Sequence, residues 1–146
     1  MSIEMQDTCF TGVAEHLLDA KGRVSLPAKA RRNLGDTVKC VLSLDKKAVY
    51  VFSPQAYDTW FQSFFPEGFN PRSEKETRLR QRLLAFTDEA DIDSAGRIGI
   101  SSKLRGIVGL EKEVAIIGGG DHLEVVDRAS YQRIEDDLLS MDFMEA

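Results

Sequence analysis

Two rhythms organise the apolar positions of this chain, a period of two in short runs and a helical period in longer ones, and they come in the same order in each half. Apolar and polar residues are mixed from Phe10 to Leu18, which predicts a strand, and Asp19-Ala20-Lys21-Gly22 follows as a tight turn in which Gly22 supplies positive φ. Arg23 to Leu26 alternates outward and inward, so this unit reads as a β-hairpin with a basic tip. Pro27 presets φ for a first helical turn, predicting a short helix over 27–34 that stops at Gly35. Val38–Leu44 and Ala48–Phe52 read as strands, and Ser53-Pro54 caps a helix running to about Phe65.

The same order then returns. Leu18 to Arg31 and Ile92 to Arg105 align without a gap, 74 positions apart, as Arg23 and Arg97 are. Asp19, Gly22, Arg23, Lys29 and Arg31 meet Asp93, Gly96, Arg97, Lys103 and Arg105, and the apolar positions match in kind. Ser101 stands at the position of Pro27 and can cap the second short helix. Glu113–Ile117 and His122–Val126 read as the later strands of the second copy, around Gly118-Gly119-Gly120-Asp121, and Asp127 caps a helix to about Leu139. Between the copies, Pro66 to Pro71 breaks the chain, and Ser73-Glu74-Lys75-Glu76 has the spacing of a capping box before a helix to about Phe86. The expected organisation is a first repeat over 9–65, a connector with a helix over 66–87 and a second repeat over 88–140.

One such half has too few apolar side chains to bury a core alone, whereas two halves can bury their faces against one another. The expected fold class is therefore α+β, a pseudo-two-fold barrel or sandwich of duplicated β-hairpins with peripheral helices. The chain has 146 residues, 42% hydrophobic and 29% charged, an ordinary globular composition with neither a signal peptide nor an apolar run long enough to span a bilayer. A cytoplasmic location is expected. Cys9 and Cys40 lack metal-ligand spacing and read as buried thiols.

A formal charge of -5 on its own argues against a polyanionic partner, but the charge is segregated. Lys21, Arg23, Lys29, Arg31 and Arg32 crowd the first motif, while Glu135, Asp136, Asp137, Asp142 and Glu145 load the C-terminal segment with no basic residue after Arg133. Lys21, Arg23 and Arg97 at β-turn tips can neutralise phosphates, and an arginine fork can also address a guanine edge. The alternative is that Asp19 with Arg23, and Asp93 with Arg97, only close their own turns. Asp19, Gly22, Asp93 and Gly96 are assigned to turn geometry and to orienting the arginines. Lys29, Arg31, Lys103 and Arg105 suit a second phosphate shell or, equally, a solvated helix face. Arg78, Arg80 and Arg82 read as the exterior of the connector helix. Gly118-Gly119-Gly120 reads as a hairpin and not a phosphate loop, since no Lys-Ser/Thr follows. Trp60, Phe61, Phe64 and Phe65 form an aromatic face suited to core or subunit contact. His16 and His122 stand isolated, and no catalytic triad, paired-carboxylate or metal constellation is visible.

The opening Phe10-Thr11-Gly12, the run Leu18 to Arg31, its return over Ile92 to Arg105 and the long helix after each half resemble the MraZ family of bacterial transcriptional regulators. The resemblance extends from Phe10 to about Leu139. It implies the AbrB-like swapped-hairpin, double-split barrel class of DNA-binding folds, with the Asp-x-x-x-Arg segment as the DNA-contacting element. It further implies a nucleoid-associated, ring-shaped homo-oligomer that binds direct repeats of double-stranded DNA in its own promoter and regulates, by repression, a division and cell-wall gene cluster. No enzyme activity, cofactor, metal or small-molecule substrate is expected. An antitoxin-like or adaptor module that holds a protein on the same fold is the rival reading. The aromatic helix after Ser53 is the expected contact surface between subunits.

Overall fold

A computed structural model describes residues 9–145, with side chains assigned through Met144. Among the described residues, eight strands and five α-helices follow one another as two related series. The first holds β1 (Val13–Leu17), β2 (Arg23–Ser25), α1 (Ala28–Leu34), β3 (Thr37–Leu42), β4 (Val49–Phe52) and α2 (Pro54–Gln62). After the connector helix α3 (Glu74–Ala85) come β5 (Thr87–Asp91), β6 (Arg97–Gly99), α4 (Ser102–Val108), β7 (Glu113–Gly118), β8 (Leu123–Asp127) and α5 (Arg128–Ser140). The chain is thus a mixed α+β protein with antiparallel sheets.

β3 pairs with β4 and β7 with β8 inside their own copies, but β1, β2, β5 and β6 pair only with strands of the other copy. A six-stranded sheet runs β1-β7-β8-β4-β3-β5, and a separate two-stranded ribbon joins β2 to β6. β1 of the first copy lies against β7 of the second, β5 of the second lies against β3 of the first, and β2 pairs only with β6. This corrects the expected self-paired hairpin. The turn at Asp19 closes as predicted, with Asp19 N donating to Arg23 O at 2.9 Å, but the strands it joins enter different sheets. The six-stranded sheet is open, with β1 and β5 at its edges, so these ladders do not close a barrel.

The pairing register carries the pseudo-two-fold axis. In the ribbon Arg23 faces Gly99, Val24 faces Ile98 and Ser25 faces Arg97, which maps each strand onto the other by the 74-residue relation. In the sheet Val49 faces Val125, Tyr50 faces Glu124 and Val51 faces Leu123, which obeys the same relation. Between these points the relation slips by two, so that Val38 on β3 corresponds to Val114 on β7, both fully buried. The longer turn after β3 restores it.

The ribbon and the sheet share one core. Val24, Leu26, Ile98 and Ile100 pack with Leu34, Leu104, Val38, Val114, Val49 and Val125, so the short strands are fastened by their inward side chains. A second cluster, of Val41, Phe52 and Tyr57 with Trp60 and Phe61 against it, uses the aromatic face of α2 inside the chain. Phe65 is buried as well. Helix starts follow the sequence closely, with Ser53, Ser73, Ser101 and Asp127 accepting hydrogen bonds from Ala56, Glu76, Leu104 and Ala129 N. The capping box is only half formed, because Glu76 Oε1 accepts from Asn70 N instead of Ser73 N. Cys40 is buried as expected, and its thiol is pushed up to about 12 by burial, with Asp88 adding to the effect. Cys9 is exposed, against expectation, and lies just before the bridge that pairs Phe10 with Gly120.

Candidate nucleic-acid interface

Each turn is built around one carboxylate. Asp19 Oδ1 accepts from the backbone N–H of Lys21 and of Arg23, both at 2.9 Å, while Oδ2 accepts from Arg23 Nε at 2.7 Å. The second copy repeats this atom for atom: Asp93 Oδ1 accepts from Ala95 N and Arg97 N, and Oδ2 from Arg97 Nε at 2.9 Å. The aspartates therefore close the turns and also bond the arginines at Nε. Donation from the Arg23 backbone N–H, opposed by some desolvation and aided by the Arg23 side chain and Lys21 N–H, lowers Asp19 to about 2. Asp93 is lowered by the same set of bonds from Arg97 and Ala95. Both carboxylates stay ionised across the physiological range.

The arginines face outward. In an antiparallel ribbon alternate residues share a face. Val24 and Ile98 point into the core, and Arg23, Ser25, Arg97 and Gly99 point away from it. The side chains of Arg23 and Arg97 are about one-third exposed (35% and 34%), and Arg97 Nη1 lies 3.8 Å from Asp19 Oδ2, which ties the two turns together across the axis. Lys21 is exposed at the first tip, whereas Ala95 fills its place in the second.

Arg31 and Arg105 behave differently from a free helix face. Each reaches across the axis to cover the turn glycine of the other copy. A Cβ on Gly22, whose φ is 79°, would fall 2.6 Å from Arg105 Cζ, and one on Gly96, with φ 80°, would overlap the Arg31 guanidinium. The positive φ favours glycine at both positions, and an added Cβ would in addition push the covering guanidinium aside. Arg105 Nε donates to Ile100 O at 2.8 Å, while Arg31 Nε is buried without a hydrogen bond among the described residues. The two guanidiniums flank the ribbon and add positive charge to its surroundings.

The two lysines diverge. Lys103 Nζ donates to Ala85 O at 3.1 Å and lies 4.5 Å from the centre of the Phe86 ring, so it closes the C-terminal end of α3. Lys29 is exposed and, with Arg32, lines a cavity of about 630 Å³ beside Phe10 and Thr11. Arg82 is half-buried and donates to Ser43 O at 2.7 Å instead of lying on the helix exterior, and Arg78 and Arg80 are exposed.

Sequence reasoning missed His122. It is buried between Asp121 and Glu124, with Nδ1 and Nε2 at 2.7 and 2.9 Å from their carboxylates, and its ring lies 4.2 Å from that of Tyr50. Burial would push its pKa down, but the hydrogen bonds and charges of Glu124 and Asp121 outweigh it and the pKa is raised. The flanking Asp-His-x-Glu pattern was the available signal. The Gly118 to Gly120 stretch is the β7–β8 turn and packs against Phe10 and Thr11. Among the described residues no cluster of ligating side chains suited to a metal occurs, and no helix is long and apolar enough to cross a membrane.

Fold and site together define a class: a duplicated α+β protein whose copies exchange strands to present paired Asp–Arg turns on one face. The MraZ family model, described as "MraZ protein, putative antitoxin-like", matches residues 9–83 and again 83–146. The chain belongs to the MraZ family. It is 35% identical over 135 residues to the transcriptional regulator MraZ of Alkaliphilus oremlandii, covering 91% of this chain and 92% of that one. It is 34% identical over 128 residues to that of Treponema pallidum (88% and 85%), and 32% identical over 127 to that of Mycoplasmoides gallisepticum (87% of each).

Proposed function

We propose that this protein is a non-enzymatic transcriptional regulator that binds double-stranded DNA through the outer face of the β2·β6 ribbon. One observation carries the reading: Arg23 and Arg97 stand on that face in two-fold related positions, each held at Nε by an aspartate. Fixing Nε leaves the Nη edge of each guanidinium as a fork for phosphate or for guanine O6 and N7, and a two-stranded ribbon is a shape the major groove admits. Gly99, opposite Arg23, keeps the face low enough for close approach. Lys21 adds a phosphate contact at the first tip, Arg31 and Arg105 set the field around both, and Lys29 and Lys103 lie further out.

The relatives' shared name, transcriptional regulator, supports the regulatory role. The finer reading is a cytoplasmic, nucleoid-associated repressor acting on direct repeats in the promoter of its own division and cell-wall gene cluster. It would act as a ring of copies, each an AbrB-like split barrel with 66–87 as connector. Two arginines give a single ribbon weak, salt-sensitive binding, and linked ribbons on repeated boxes raise it through effective concentration. The family description as antitoxin-like favours one second reading, a module that holds a protein partner.

The test is a mobility-shift titration at fixed salt with Arg23→Ala and Arg97→Ala. Each is expected to weaken binding about tenfold or more, in line with ~1–3 kcal/mol for a lost base contact. Undiminished binding by both folded variants overturns the DNA reading, and a co-purifying protein with no salt-sensitive DNA complex favours the second.

A further inference from the structure

Helix α2 and the turn after it spend much of their aromatic surface inside the chain: Tyr57 and Phe65 are buried, and Trp60 and Phe61 pack half-buried on the core. The exposed apolar surface is instead concentrated at the end of α5. That helix buries none of its residues. Beyond Tyr131, which packs on Ala48, Ala115 and Val126, it turns Leu138 (53% exposed) and Leu139 (80%) to solvent, followed by Met141, Phe143 and Met144 (53%, 63% and 93%). Scattered exposed leucines are ordinary, but a contiguous group marks an interaction surface. Glu135, Asp136, Asp137 and Asp142 surround these side chains without a basic residue among them.

A groove of the opposite character lies beside α3. It has a volume of about 690 Å³ and is lined by Phe69, Pro71, Thr77, Arg80 and Leu84, the last 46% exposed. Arg80 lies 4.4 Å from the centre of the Phe69 ring, which places a cation at the apolar rim. Lys75 and Arg78 extend this charge along the helix, against Glu74 and Glu76. The groove thus matches the end of α5 in both apolar content and charge.

The two surfaces sit on different parts of the sheet. α5 rests on β7 and β8, whereas α3 is fastened beside β3 and β5 by Leu42 N donating to Phe86 O, Arg82 to Ser43 O and Thr87 Oγ1 to Leu83 O. No residue of α5 lines the groove in its own chain. We infer that the acidic, apolar end of α5 docks in the basic, apolar groove beside α3 of a second copy of this chain. The two patches differ, so the contact is heterologous, and repeating it yields a closed ring or an open filament, not a symmetric dimer. This deepens the self-association reading above and is independent of the arginine face.

Two variants test it by light scattering after size exclusion, with circular dichroism as the check on folding. All three target leucines are exposed, so the fold is expected to survive. One variant carries Leu138→Asp with Leu139→Asp, the other Leu84→Asp. The wild type is expected to be multimeric and each variant monomeric. An equimolar mixture of the variants retains one intact groove and one intact helix end per pair, and is expected to give a dimer and nothing larger. A monomeric wild type, an unchanged mass in both variants, or a mixture that stays monomeric overturns the inference. The DNA reading is judged separately: the Leu84→Asp variant is expected to bind a single-box fragment like wild type and a repeated-box fragment at least tenfold more weakly. Arginine variants that bind undiminished sink the DNA reading while leaving the masses as expected.

Discussion

The two copies differ least at the axis and most at the periphery. Asp19 and Asp93 close identical turns, Gly22 and Gly96 are covered by each other's copy, and Val24 faces Ile98 at the centre of the ribbon. Away from the axis the likeness fades. Lys103 is drawn onto α3 while Lys29 lines an open cavity, Lys21 is matched by Ala95, and α2 is spent on the core while α5 ends in solvent. At the axis a change in one copy must be accommodated by the other, because each residue's neighbour belongs to its counterpart strand. At the rim each copy meets a different neighbour, and its residues are free to take separate work.

The most damaging test of this contrast is Ile98→Ala. Ile98 is fully buried at the axis, and a truncation that leaves a cavity there is expected to cost about 2–5 kcal/mol in denaturant unfolding. The loss should appear in one cooperative transition, since the residue serves both copies. A melt in which only half the signal shifts would show the copies to be separable.

A smaller effect separates the two lysines. Lys103→Ala removes a hydrogen bond to the last turn of α3 and a cation from the Phe86 ring, and is expected to cost ~0.5–1 kcal/mol. Lys29→Ala is expected to stay within ~0.5 kcal/mol of wild type, as surface changes usually do. Equal losses by thermal unfolding would mean that the asymmetry around α3 has no energetic meaning.

The smallest effect concerns acid. The folded pKa of Asp19 is about 2, below the ordinary carboxylate value of about 3.9. Its contribution is therefore fully present above the unfolded value and is lost as pH falls through the folded one. Asp93 follows the same sign. Carboxyl chemical shifts followed by NMR from pH 5 down to 2 should show both titrating low. Asp19, held down chiefly by the Arg23 backbone N–H, should be among the last carboxyls to titrate. Ordinary titration of both would remove the turn-closing role of these carboxylates.

Much of this architecture is legible in the residues alone, for local reasons. Caps at Ser53, Ser73, Ser101 and Asp127, the stop at Gly35 and the Asp-x-x-Gly-Arg turns each depend on atoms within a few positions, and the four side-chain caps form, though Glu76 turns to Asn70 N and leaves the Ser73 box half made. Strand partners are not local. The alternation of Arg23 to Leu26 says which side chains face inward, but β2 can satisfy it against β1 or against β6, and the choice rests on packing across the whole chain. For the same reason Arg31 and Arg105 looked like helix-surface charges: nothing near them in sequence tells that each lies over a glycine of the opposite copy. By its spacing alone the aromatic face of α2 suits core or subunit contact, and Tyr57, Trp60 and Phe61 pack with the core instead of standing free for the contact expected between subunits.

The exchange of strands also bears on synthesis. Val13 on β1 is paired with Ile117 on β7, so β1 must wait for a strand of the second copy. At a translation rate of about 5–20 residues per second, β1 spends several seconds without its native neighbour. During that interval its open backbone edge is within reach of another nascent chain making the same protein, whose β7 would fit it equally well. The length of the pause between β1 and β7 thus sets how often two ribosomes on one message risk tying their products together.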